Sequence, residues 1–275
     1  MKQTPVLKIP IKDDWQFQPT EIEDNTKKIY DNLFSAYDEK RFQESVDLFA
    51  MRQQKWGIPL DWFKGKICLD VGCGQGRFVV ALGRLGAAKV IGVDINEQGL
   101  ASGRNREWAK ALSNIEFLRA SAGDLPFLDN YFDYVICSGV LLLMPNPKMG
   151  FDELVRVTNP GGRIFLSMYG KGGLKWLTND IFRYTLCKII PFSMMEKIFK
   201  LIGVPANKRY NTLDNLYTPY THRYTEAEIR NWFSNAGFEN IRRVKFERYD
   251  YEKFFSRIIH GEGWIQMYTD KKVTQ

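Results

Sequence analysis

The 275-residue sequence predicts an α/β protein built on a doubly wound, mostly parallel sheet. Three observations predict it. Short apolar runs that stop at glycine or acidic turns alternate with stretches of helical periodicity. An apolar content of 44%, with 14% aromatic residues, supplies a full core and excludes a disordered chain. Glycine and proline, at 22 and 11, are too few for a fibrous one. No apolar run approaches the roughly 18 residues of a membrane-spanning helix. Met1-Lys2-Gln3-Thr4-Pro5 leads into charged residues rather than the apolar core of a secretory signal, so a cytoplasmic protein is expected. The scattered Cys68, Cys73, Cys137 and Cys187 are expected to be reduced thiols, with no metal bound.

The elements follow in order. Ile29, Leu33, Phe34, Tyr37, Val46, Phe49 and Trp56 recur at three- and four-residue spacing, which predicts a helical cap over residues 1–60. Residues 66–71 form an apolar strand that stops at Gly72-Cys73-Gly74-Gln75-Gly76 and restarts as a helix through Phe78, Val79, Leu82 and Leu85. A second strand, 89–94, is followed by Asn96 as N-cap and a helix to about Leu112. Strands at 115–118, 133–138 and 163–169, with a helix over 147–157, complete a core spanning 61–169.

Residues 170–224 interrupt the alternation as a helical insert after the fifth strand. One helix over 174–190 stops at Pro191, and Ser193-Met194-Met195-Glu196 has the capping-box spacing of another that closes at Gly203. Thr225-Glu226-Ala227-Glu228 is a second capping box. Its helix runs to Gly237 and leads into strands near 239–246 and 262–269, which follow each other closely enough to pair antiparallel at an edge. Residues 225–275 thus complete a seven-stranded sheet.

Charge is uneven along the chain. The net charge is +7, yet residues 1–169 balance and 170–224 alone hold nine basic against three acidic side chains. The same segment carries Leu177, Ile181, Phe182, Leu186, Ile190, Met194, Met195, Phe199 and Ile202. It reads as a solvated subdomain, a lid over an acidic or amphipathic small molecule, or a peripheral contact with anionic lipid.

A glycine turn between a buried strand and a helix presents free backbone N–H groups to a polar ligand. Arg77 occupies the position of the third glycine of a dinucleotide fingerprint, and no Gly-Lys-Ser/Thr follows, so neither a dehydrogenase nor a Walker turn is indicated. Asp94, at the end of the second strand, is placed to accept both hydroxyls of a ribose.

Residues 69–78, Leu-Asp-Val-Gly-Cys-Gly-Gln-Gly-Arg-Phe, and 90–95, Val-Ile-Gly-Val-Asp-Ile, resemble the first two motifs of class I S-adenosylmethionine-dependent methyltransferases of the type-11, ubiquinone/menaquinone-methyltransferase-like group. The likeness extends through Ser121-Ala122-Gly123-Asp124-Leu125-Pro126-Phe127, Phe132-Asp133-Tyr134-Val135 and Asn159-Pro160-Gly161-Gly162-Arg163. It implies a Rossmann-like methyltransferase fold with S-adenosyl-L-methionine as cofactor. Gly72, Cys73, Gly74 and Gly76 would line the methionine moiety and Asp70 would reach its amino group. Asp94 would hold the ribose, Ile95 would pack on adenine, and Ser121 and Ala122 would meet the adenine edge. Ser121 replaces the acid usual at its position. Ser138 ends the fourth strand, and the histidines many relatives carry shortly after it are replaced by Leu142 and Leu143.

Methyl transfer from a sulfonium is an in-line displacement, and a base is needed only where the nucleophile must lose a proton. His222, where the insert rejoins the sheet, is the candidate base, with Tyr37, Tyr220 and Arg223 as candidate acceptor contacts. The Asn/Asp-Pro-Pro-Tyr/Phe motif of exocyclic-amine methylation is missing after the fourth strand, so oxygen is the expected methylated atom and nucleic acid is not an expected substrate. The rival readings are a methyltransferase-fold binding protein without turnover and, more weakly, a nucleic-acid methyltransferase.

Overall fold

The computed structural model describes residues 9–13, 15–18, 20, 30, 38–244 and 253–273. Its strands are β1 (Ile67–Val71), β2 (Lys89–Asp94), β3 (Ile115–Arg119), β4 (Phe132–Ser138), β5 (Thr158–Gly170), β6 (Arg223–Tyr224), β7 (Phe238–Arg243) and β8 (Trp264–Lys271). They form one sheet in the order β3-β2-β1-β4-β5-β8-β7, with the two-residue β6 beside the end of β5. All neighbours are parallel except β8, which runs antiparallel to β5 and to β7. The predicted sheet is present with its antiparallel edge; β6 makes it eight-stranded among the described residues.

The helices are α1 (Glu39–Lys55), α2 (Arg77–Arg84), α3 (Glu97–Asn105), α4 (Glu107–Lys110), α5 (Pro147–Val157), α6 (Leu174–Tyr184), α7 (Leu186–Ile189), α8 (Phe192–Leu201), α9 (Ala206–Tyr217), α10 (Glu226–Asn235) and α11 (Phe254–His260). Strand side chains alternate between two apolar layers. Leu69 and Val71 pack with Phe151 and Leu154 of α5 and Ile229 and Phe233 of α10. On the other face Cys68 and Val90 pack with Phe42, Val46 and Phe49 of α1 and Val79 and Leu82 of α2. A period of two along buried strands, with helices on both faces, is what doubly wound sheets require.

Local signals are realised unevenly. The Asn96 side chain accepts from the Gly99 N–H at 3.0 Å, and Thr225 and Glu228 close a reciprocal capping box. The helix after Asn96 breaks at Arg106, which is extended (φ −63°, ψ 141°). The guanidinium of Arg106 bridges Glu39 of α1, at 3.2 Å, and Gln75 of the glycine turn, at 2.8 Å. The helix expected over 174–190 breaks at Thr185 into α6 and α7. The Ser193 capping box does not form, because Pro191 already stands extended at the N-cap and α8 starts at Phe192. Sequence periodicity gives no sign of α9, whose buried apolar side chains among the described residues are Leu213 and Leu216.

Candidate active site

The strand order reverses between β1 and β4, and the crevice at such a switch point is where open α/β sheets hold ligands. Gly72, Gly74 and Gly76 all have positive φ, at 73°, 55° and 78°. A Cβ on Gly72 would lie 2.1 Å from Val140 Cγ2, and one on Gly76 would lie 2.3 Å from the Phe117 ring. These two glycines are therefore required by the packing beneath the turn as well as by its backbone shape. Cys73 is buried between them, its sulfur against Gly92.

Asp94 ties the second motif to the first. Its Oδ2 accepts from the Gly74 N–H and its Oδ1 from the Asn96 N–H, both at 2.8 Å. Burial raises its pKa and those backbone donors oppose the rise. Each carboxylate oxygen keeps a further lone pair, as two ribose hydroxyls would need.

Asp70, at the penultimate position of β1, is buried, and its Oδ2 has no hydrogen-bond partner. Burial pushes its pKa up to about 8, against the pull of the Arg77 charge. A buried carboxyl without a partner is costly unless a cation or donor meets it. The ammonium of a methionyl group has that chemistry, so the residues present fit the cofactor.

The adenine-edge residues are less open. Ser121 pairs with Asp124 across a tight turn, and its hydroxyl accepts from the Gly123 N–H at 3.1 Å. Asp124 is engaged by Trp15 Nε1 at 3.0 Å and Lys12 at 3.5 Å, because the segment around Ile11 pairs with Phe127 and lies across this loop. Ala122 is buried, while Ile95 is half-buried with its carbonyl accepting from Arg119 Nε at 3.1 Å.

A cavity of about 580 Å3 is lined by Arg77 and Phe78, the residues that follow the glycine turn. Ser138 of β4 and the following Gly139 line it, together with Arg52 of α1 and the adjoining Trp56, Lys175 and Trp176 of α6, and Asp214 of α9. Tyr30 donates its hydroxyl to Asp214 Oδ1 at 2.7 Å. Burial pushes Asp214 up to about 6, although the Tyr30 hydrogen bond and the Arg183 charge pull it down. The cationic side is also desolvated. Burial and the neighbouring Arg77 charge lower Arg52, and burial lowers Lys175. His260, also in the lining, is lowered by burial and then by Lys175.

His222, Tyr220 and Arg223 do not line this cavity. The His222 N–H donates to the Leu142 carbonyl at 2.8 Å, its ring stacks on Tyr220 at 5.6 Å, and its buried Nε2 has no partner. Arg223 makes a two-point ion pair with Asp180 at 2.6 Å and covers the Trp176 ring at 4.2 Å, so its charge is already matched within the insert. The loop that carries these residues is held against α6 by Arg183, which donates to the Asn215, Thr218 and Pro219 carbonyls and to the Thr221 hydroxyl. Tyr37 lies outside the described residues.

Adenosine cofactors bound at a switch point are the business of Rossmann-like enzymes, and Arg77 sets this chain apart from the dehydrogenases among them. The methyltransferase-domain family matches residues 69–166. Demethylmenaquinone methyltransferases of Bacillus cereus (strain AH187) and Bacillus anthracis are 27% identical over 230 residues, covering 82% of this chain and 91% of theirs. The chain is similar to the class I S-adenosylmethionine-dependent methyltransferases over this domain, and its cofactor is S-adenosylmethionine.

Solved structures agree on the fold at low identity. A Haemonchus contortus N-methyltransferase, solved with phosphomonomethylethanolamine and S-adenosylhomocysteine, superposes with a TM-score of 0.58 at 14% identity, covering 92% of this chain and 61% of that one. The [4+2]-cyclase SpnF superposes at 0.56 and 19% identity, covering 97% and 100%. A possible histamine N-methyltransferase of Thermotoga maritima does so at 0.55 and 17%, covering 90% and 100%. A fold shared by such different proteins leaves the acceptor to be argued from the site.

Proposed function

We propose that this enzyme methylates a hydroxyl of a small, amphipathic, anionic molecule seated in the 580 Å3 cavity. The observation that carries the reading is the composition of that cavity: aromatic walls, the cations Arg52, Arg77 and Lys175, and Asp214 as the carboxylate among its described lining residues. When bound, S-adenosylmethionine supplies a methyl group on a sulfonium sulfur, open to in-line displacement. Asp70 would meet the methionyl ammonium, the turn from Gly72 to Gly76 would face the methionyl chain, and Asp94 would hold the ribose. Ile95, Ser121 and Ala122 would border the adenine, and Ser138 would stand where cofactor and cavity adjoin.

The proton of the acceptor hydroxyl goes to Asp214 rather than to His222. Asp214 lies in the cavity wall, and a pKa of about 6 leaves it mostly ionised at neutral pH yet basic enough to accept. Tyr30, which now donates to it, would hand its place to the acceptor hydroxyl or relay the proton. The aromatic side chains of the cavity, among them Trp56, Phe165 and Trp176, would keep water from the reacting atoms. The relatives named for demethylmenaquinone support a ring-bearing, amphipathic acceptor.

Two measurements test this. Calorimetry with S-adenosylhomocysteine should give saturable binding, and none at millimolar ligand would sink the cofactor assignment. Turnover on a panel of phenolic and hydroxylated acids should identify an acceptor, with kcat rising as pH increases through about 6 while Asp214 loses its proton. Asp214→Asn should lower kcat by about 10²–10⁴-fold and abolish that acid limb with little change in KM. An unchanged profile would remove Asp214 as base.

A further inference from the structure

We infer that the outer face of α6, α7, α8 and α11 docks on an anionic lipid surface, so that the cavity beneath it is filled from the bilayer. The inner face of α6 is fully engaged: Trp176 is buried, Asn179 and Arg183 bond the Asn215 carbonyl, and Asp180 pairs with Arg223. Leu174, Leu177, Ile181 and Tyr184, spaced by three, four and three residues, lie on the opposite side of that helix and are exposed. α7 adds Ile189, 81% exposed, and α8 adds Met194 and Leu201, the latter at 88%, with Ile202 just past its end. α11 adds Phe254 and Phe255, at 73% and 76%, together with Ile258 and Ile259.

α11 is locked to the start of α6, and α6 and α8 both pack against α9. A Cβ on Gly173 would lie 2.3 Å from the Gly261 nitrogen, and one on Gly261 would lie 2.3 Å from the backbone of Gly172. Monomeric proteins rarely expose so many large apolar side chains together, and such patches mark surfaces that something covers.

The charge on the page chooses the occupant. The segment 170–224 holds nine basic and three acidic residues, and Asp180 is paired with Arg223 inside it. Lys188, Lys197 and Lys200 remain exposed among the apolar residues of α7 and α8, and Lys253 and Arg257 flank those of α11. Apolar side chains interleaved with cations match an anionic headgroup layer over acyl chains. A second copy of the chain would set these cations against each other. The α6 and α11 that carry the exposed residues also give Lys175, Trp176 and His260 to the cavity, so the docked face adjoins the binding chamber. Docking rests on the surface alone; the delivery of an amphipathic acceptor rests on the methyl-transfer reading.

Vesicle sedimentation of the full chain tests it without any turnover. The protein should pellet with vesicles of phosphatidylcholine mixed with phosphatidylglycerol, stay in solution with phosphatidylcholine alone, and be released by salt. Lys188→Glu, Lys197→Glu and Lys200→Glu together should cut partitioning by at least about a hundredfold. Ile189→Ser with Leu201→Ser and Phe254→Ser should cut it by about tenfold or more. Both variants should keep wild-type affinity for S-adenosylhomocysteine, which separates lost docking from lost folding. Failure to pellet with anionic vesicles, or equal pelleting of both variants and wild type, would overturn the proposal. So would a concentration-dependent dimer, broken by Phe254→Ser, in a protein that ignores vesicles.

Discussion

At the end of β1 a polar group is left buried without a partner, whereas across α6, α7 and α8 large apolar side chains are left exposed. Asp70 Oδ2 is a buried carboxyl oxygen with no hydrogen-bond partner, while Leu201 and Ile189 stand in solvent. Each departs from what folding alone would select, since burial favours matched polar groups and covered apolar ones. The core departs in the way a charged small ligand would repair, and the insert in the way an apolar surface would repair. Two binding events of different chemistry are therefore written into different layers of one chain.

The glycines give the largest test of that contrast. Gly76 has φ 78° and no room for a Cβ beside Phe117, so Gly76→Ala combines backbone strain with overpacking and should cost roughly 2–5 kcal/mol of stability in urea unfolding. Gly203, which closes α8, has φ 76° but open space around it. There the same change should cost only about 1 kcal/mol. Equal losses at the two positions would mean that the core turn is no more tightly specified than the insert.

Asp94→Ala comes next, with an expected loss of about 1.5–3 kcal/mol in S-adenosylhomocysteine affinity by calorimetry. The variant should also be less stable than wild type, because the Gly74 and Asn96 N–H groups lose their acceptor. No change in affinity in the folded variant would remove the ribose assignment.

A smaller effect should appear at Asp70. With a pKa of about 8 it is mostly protonated at pH 7 in the free protein, and a cationic ammonium beside it would draw that pKa down. Binding should then release close to one proton near neutrality, visible as a dependence of the calorimetric enthalpy on buffer ionisation enthalpy. Affinity should rise with pH and level off above about 8. The sign for stability is the reverse: a carboxyl with a raised folded pKa weakens the free protein as pH climbs from its unfolded value to about 8. Asp70→Asn should abolish the proton release.

What could be read from the sequence was what local backbone geometry decides. The strand, glycine turn and helix around Gly72, the Asn96 cap, the helix from Pro147 and the Thr225 box depend on neighbours a few residues away, and the structure realises them. The antiparallel edge follows from the lack of a long crossover helix between its strands, where the structure has only the seven-residue α11 among the described residues. Tyr30 and Asp214, by contrast, are 184 residues apart in the chain and meet only because α9 packs over the cavity. With Leu213 and Leu216 as the buried apolar side chains among its described residues, α9 has too weak a period to be seen. His222 was placed by its nearness in sequence to β6, but the carbonyl staples of Arg183 decide where that loop goes.

The smallest expected effect is the sharpest statement about the insert. Removing a buried leucine costs about 2–5 kcal/mol, because transfer and cavity energies both count against the change. Leu69, fully buried in β1, should behave this way as Leu69→Ala. Leu201 is 88% exposed at the end of α8 and touches little that would collapse on its loss. Leu201→Ser should shift the urea midpoint by no more than about 0.5 kcal/mol, the range of ordinary surface changes. A leucine that contributes nothing to folding, beside others that contribute as little, has its use outside the monomer. Should Leu201→Ser instead destabilise the isolated chain by an amount comparable to Leu69→Ala, the insert's apolar residues would belong to the protein's own core, and the contrast between the two regions would fall with them.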